Sequence, residues 1–160
     1  MKTAEKQTTD TVQESESPVI EEQENGIVRL TLNRPEQFNS LSEAMLETLQ
    51  EKLDALAENK DARLVILQGA GKAFCAGHDL KEMIATRKES YYKSLFQQCS
   101  RMMMTLNRIP QPVIARVHGI AKLQDVSLLE HVTLRLLQKM PDLQHPESMW
   151  AFFAQHLLYL

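Results

Sequence analysis

Glycine is scarce in this chain and unevenly spread: there are five, at 26, 69, 71, 77 and 119, and none beyond. Up to Ala121 the sequence reads as orderly strands, turns and helices. After it comes leucine-rich sequence with no obvious continuation. Cysteine is scarcer still. Cys75 and Cys99 cannot make a disulfide framework, so a reducing compartment is the default expectation. No apolar run is long enough to span a bilayer. A net charge of −3 offers no general reason to expect nucleic acid or an anionic membrane as partner. The first residues are not poor in acids: Glu5, Asp10, Glu14 and Glu16 argue against an Arg-rich mitochondrial presequence. Residues 1–17 are polar and lack periodicity, so they read as disordered.

What is present suits a soluble α/β domain. Hydrophobic residues make up 43% and charged residues 24%, enough for one ordinary core. "PVIEEQENGIVRLTLNRP" predicts a β-hairpin turning at Glu24-Asn25-Gly26, with Val28, Leu30 and Leu32 on one face and Pro35 ending the second strand. "SLSEAMLETLQEKLDALAEN" predicts a helix. Ser40 and Glu43 form a capping-box pattern, and Leu46, Leu49, Leu53 and Leu56 make its apolar stripe. "RLVILQG" (63–69) predicts a strand buried on both faces. A helix is expected to start near Asp79, and a longer one to cover 90–107 with Leu95, Cys99, Met102, Met103 and Leu106 inward. Pro110 and Pro112 break it before the strand "VIARV" (113–117). Strands alternating with helices indicate an α/β fold.

The chemistry gathers in "GAGKAFCAGHDLKEM", read as a loop in which three glycines let backbone approach a ligand. Asp79 is placed to cap the following helix, whose first N–H groups then face the loop. Such a loop suits an oxyanion or a polarised carbonyl. A plain strand-to-helix turn is the competing reading. The P-loop spacing and its hydroxyl are missing. Cys75 and His78 are spaced like two metal ligands, but no second pair follows, so no metal is expected.

Three stretches, "NRPEQFNSLSEAM", "GAGKAFCAGHDLKEM" and "PQPVIARVHGIA", resemble successive motifs of the crotonase (enoyl-CoA hydratase/isomerase) superfamily in order and spacing. The resemblance covers residues 18–121. It implies a partial ββα spiral whose C-terminal turns are missing and replaced by a helical tail at 122–160. It implies an acyl-CoA thioester as substrate or ligand, with no further cofactor. It also implies that the backbone N–H of His78 is one of two oxyanion-hole donors. Ala76, Gly77, His78, Asp79, Leu80 and Lys81 would then contact the coenzyme A portion and the thioester. The second donor should follow His118-Gly119, where this chain has "IAKLQDV". Family members trimerise; this chain is expected not to. The family places it in the cytoplasm or the mitochondrial matrix.

The tail has an explanation in the codons it permits. Asp142 to Phe152 can be encoded so that reading one base over spells Phe-Ala-Thr-Pro-Gly-Val-Asn-Val-Gly-Leu, a family segment. One base deleted after Ala121 turns Ala-Thr-Ala-Ala-Gly-Cys-Gln into Ala121-Lys122-Leu123-Gln124-Asp125-Val126. Residues 122–160 therefore read as a frameshifted stretch, with Leu129, Val132 and Leu136 at helical spacing. The offset codon overlapping Pro146 and Glu147 cannot encode glutamate. It thus resembles the enoyl-CoA hydratase domain-containing protein 3 group of the family, which has Pro-Gly there. No acid–base pair is identified. The expected function is that of a hydratase/isomerase-like protein of fatty-acid metabolism, catalytically inactive in this form. The alternative is a non-enzymatic acyl-CoA-binding or interaction protein that joins full-length homologues.

Overall fold

The computed structural model describes residues 17–118 and the backbone of Ile120–Ala121. The expectations for residues 1–16, for the tail and for the second oxyanion donor lie outside the described residues. Strands β1 (Val19–Glu24) and β2 (Ile27–Leu32) pair antiparallel, Val19 with Leu32 through Glu24 with Ile27. Asn25 and Gly26 take φ of 52° and 78°, the positive pair that a two-residue hairpin turn requires. β3 (Leu64–Gly69) adds parallel to β2, and β5 (Val113–Arg116) parallel to β3, giving one sheet in the order β1-β2-β3-β5. Period-2 alternation sends Val28, Leu30 and Leu32 into the core, all fully buried. Val65, Ile66 and Leu67 are buried in succession, as expected of a central strand.

Helices α1 (Glu43–Glu58) and α3 (Glu89–Arg108) pack against each other on one face of the sheet. α1 presents Met45, Leu46, Leu49, Leu53 and Leu56; α3 presents Leu95, Met102, Met103 and Leu106, with Cys99 half-buried against them. Gln50 Nε2 donates to Thr105 Oγ1 (2.9 Å) and ties the pair across 55 residues. Buried Gln111 closes the C-terminal end of α1 by donating to the Leu56 carbonyl at 2.8 Å and the Asn59 carbonyl at 3.0 Å. A short helix α2 (Leu80–Ala85) precedes α3.

Two expectations are corrected. The N-cap of α1 is Ser42, whose hydroxyl accepts from the Met45 amide at 3.2 Å; Ser40 lies two residues outside and bonds elsewhere. The glycine-punctuated loop also contains a strand, β4 (Ala73–Cys75), paired parallel with β6 (Ile120–Ala121) in a second small sheet. β4 is buried throughout, and Cys75 belongs to the core. Among the described residues no helix is long and apolar enough to cross a membrane.

Candidate functional site

The first two sequence motifs, far apart in the chain, are stitched together residue by residue. β2 leads into a 3₁₀ turn (Pro35–Gln37), after which Phe38 and Asn39 both adopt left-handed backbone, φ 52° and 56°. This turns the fully buried Asn39 side chain inward. Its Nδ2 donates to the carbonyls of Ala70 (2.8 Å) and Ala73 (2.7 Å), and its Oδ1 accepts from the Arg34 amide (2.9 Å). One amide side chain thus satisfies backbone groups on both sides of the loop that enters β4. The third motif joins too: His118 Nε2 lies 2.9 Å from the Gly71 carbonyl.

The loop of Ala76, Gly77, His78, Asp79, Leu80 and Lys81 follows β4. Leu41 and His78 form a parallel bridge, in which the Leu41 amide donates to the Gly77 carbonyl (2.7 Å) and the Asp79 amide donates to the Leu41 carbonyl (3.1 Å). Alternation along an extended backbone then turns the His78 N–H the other way. Among the described residues that N–H has no hydrogen-bond acceptor. Gly77 sits at φ 82°, in the left-handed region that favours glycine, and so sets the direction of the peptide that follows.

The side chains divide into holders and exposed groups. Asp79 is the N-cap of α2: its carboxylate accepts from the amides of Lys81 (3.2 Å) and Glu82 (3.3 Å). The same carboxylate accepts from Ser40 Oγ (3.2 Å) and Arg34 Nη1 (3.2 Å). Burial alone would raise its pKa. The Glu82 amide, the Ser40 hydroxyl and the Arg34 guanidinium outweigh that, and the carboxyl is held below its ordinary range. The His78 ring packs edge-on to Phe96 of α3, with centroids 5.3 Å apart, and burial lowers its pKa. Its Nδ1 is buried without a hydrogen-bond partner among the described residues, as is the Tyr91 hydroxyl. Tyr91 has its pKa raised, first by burial and then by the carboxylates of Glu82, Glu43 and Asp79. Leu80 and Lys81 are exposed, and Leu80 leaves 62% of its surface open. Glu82 Oε2 accepts from the Glu43 amide at 3.0 Å, linking α2 to α1.

Sequence reasoning placed the loop and its cap but missed Arg34, Asn39 and Ser40 as the groups that hold it. Each was visible only as part of a motif, since their partners lie 31 to 45 residues away.

Known proteins similar to this chain point to one family. The enoyl-CoA hydratase/isomerase family model matches residues 27–154. The match starts in β2 and runs beyond Ala121, where the sequence reading ended the resemblance. Enoyl-CoA hydratase domain-containing protein 3, mitochondrial, of Danio rerio is 38% identical over 108 residues, covering 68% of this chain and 37% of that protein. An enoyl-CoA hydratase structure from Mycobacterium smegmatis superposes with a TM-score of 0.64 at 54% identity, over 65% of this chain and 41% of that one. The human enoyl coenzyme A hydratase domain-containing protein 3 structure gives 0.61 at 38% identity, over 64% and 40%. The chain thus spans about two fifths of the length of the proteins it matches. With the family match over most of its length and the partial α/β fold aligned to solved crotonases, the chain belongs to the enoyl-CoA hydratase/isomerase family.

Proposed function

We propose that this chain binds acyl-CoA thioesters through the 76–81 loop, with the His78 N–H donating to the thioester oxygen, and that it does not hydrate them. The observation that carries this reading is the unbonded His78 amide, turned away from Leu41 by the bridge and directed by Gly77. A fixed donor of this kind polarises a carbonyl without having to reorganise. Hydration needs more: a carboxylate free to exchange protons near neutral pH. Two carboxylates at the loop are already committed. Asp79 is held ionised by four donors, and Glu82 caps the amide of Glu43. The ligand is a coenzyme A thioester of fatty-acid metabolism, and no further cofactor takes part. Calorimetric titration with crotonyl-CoA, together with absorbance of the enoyl group, tests both halves. The expected result is heat of binding with no loss of enoyl absorbance over buffer. Robust turnover overturns the inactive reading, and absence of any binding heat overturns the site.

A further inference from the structure

Four donors from three parts of the chain converge on the Asp79 carboxylate. Oδ1 takes the Lys81 and Glu82 amides of α2, while Oδ2 takes Arg34 from the turn after β2 and Ser40 from the segment before α1. Arg34 is itself held at both ends. Its amide donates to Asn39 Oδ1 at 2.9 Å, and its Nη1 also reaches the Ser40 carbonyl at 3.5 Å. The pair is not a surface ion pair of the weak kind. The Asp79 side chain is 12% exposed and the Arg34 side chain 26%, and Ser40 is buried beside them. The Asp79 carboxylate shares its surroundings with those of Glu82 and Glu43, since all three act on the Tyr91 hydroxyl of α3. Arg34 therefore supplies the positive charge in a neighbourhood of carboxylates. Asp79 is tethered a second time through its own backbone, whose amide donates to Leu41 in the bridge that flanks His78. Both tethers act one residue from the unbonded His78 N–H.

We infer that the Arg34–Asp79 ion pair, with Ser40, is a latch that fixes the direction of the His78 amide, which makes Arg34 a positioning residue for thioester binding. This rests on the reading of that amide as the oxyanion donor. An oxyanion donor works only within a narrow range of distance and angle, so a residue that never touches the ligand can control affinity through it. Without Arg34, Asp79 keeps its helix cap and the Ser40 hydroxyl but loses its charged partner, and so protonates at higher pH than in the wild type.

The test is amide hydrogen exchange on the full chain, wild type against Arg34→Met, Arg34→Lys and Asp79→Asn. In the wild type the Leu41 and Asp79 amides are expected to stay protected down to acid pH. In Arg34→Met their exchange should quicken by on the order of tenfold, the scale of a lost charge-assisted hydrogen bond, while amides of β2 and β3 keep their rates. Arg34→Lys should restore part of the protection. In Arg34→Met the loss with acid should begin at higher pH than in the wild type, and in Asp79→Asn that acid dependence should vanish. Crotonyl-CoA affinity should weaken in Arg34→Met by a similar factor. Unchanged protection at Leu41 and Asp79 in Arg34→Met overturns the latch. So does loss that spreads equally through β2 and β3, which would mark a general stabiliser. If wild type binds no crotonyl-CoA, the proposed function fails, and the exchange rates still decide the latch.

Discussion

Gly77 and His78 separate two demands on the loop, one conformational and one chemical. Gly77 is buried at φ 82°, where a β-branched residue is strained by about 1–2 kcal/mol or more. Gly77→Val should therefore misdirect the following peptide and abolish measurable acyl-CoA binding in calorimetry. His78→Ala keeps the amide and should cost much less, through the lost ring contact with Phe96. Equal affinity in wild type and Gly77→Val, or a greater loss in His78→Ala, would argue against a backbone-lined site. Lys81 is exposed, so any contribution to binding a coenzyme A phosphate should be larger at low salt than at high salt. The His78 ring makes a separate prediction. Burial holds its pKa below the ordinary 6.5, so the unfolded chain binds the proton more tightly than the folded one. Stability should be undiminished above pH 6.5 and fall as the pH drops below it. Asp79, also depressed, adds stability that is present above its ordinary 3.8 and lost only as the pH falls further. Urea midpoints followed against pH should show the first step in wild type and not in His78→Gln.

At the scale of elements, the two serines before α1 illustrate what local pattern can and cannot decide. Ser42→Ala removes the N-cap acceptor of the Met45 amide and should lower stability by about 1 kcal/mol. Ser40→Ala leaves the helix start intact and should act on Asp79 instead, raising the pH at which acid destabilises the chain. Urea melts of the two variants at neutral and acid pH separate these outcomes. The sequence suggested Ser40 as the cap because Ser40 and Glu43 have capping-box spacing, a pattern blind to where the chain enters the helix. The amphipathic helices and the hairpin were legible because each repeats a residue type at the period of its own geometry: Leu46, Leu49, Leu53 and Leu56 in α1, or Val28, Leu30 and Leu32 in β2. β4 was not legible. Three residues are too few to show an alternation, and all three are buried. The Asn39 staple and the Arg34–Asp79 pair were invisible for another reason: hydrogen bonds over 31 to 45 residues leave no periodic trace. Only resemblance to a family pointed to those motifs, and it did so without saying what each side chain grips.

Over the molecule as a whole, the two edges of the four-stranded sheet differ in character. β1 carries Glu21, Glu22, Gln23 and Glu24 along its length, a charged edge of the kind that discourages pairing with another chain. β5 is Val113, Ile114, Ala115 and Arg116, short and mostly apolar, and it closes the other side of the sheet. The Val65 amide donates to the Pro112 carbonyl at 3.0 Å. The regular slant of a parallel ladder then turns the Val113 and Ala115 amides away from β3. Among the described residues no strand pairs with those amides, which makes β5 a template for a further strand, so the purified chain should self-associate as its concentration rises. Sedimentation velocity across a concentration series should show larger species, and the thermal transition should be broad. Ala115→Pro removes one outward donor without touching the bonds to β3, and should reduce the larger species. A sharp two-state melt of a monomer at every concentration would show that this edge is not available for pairing.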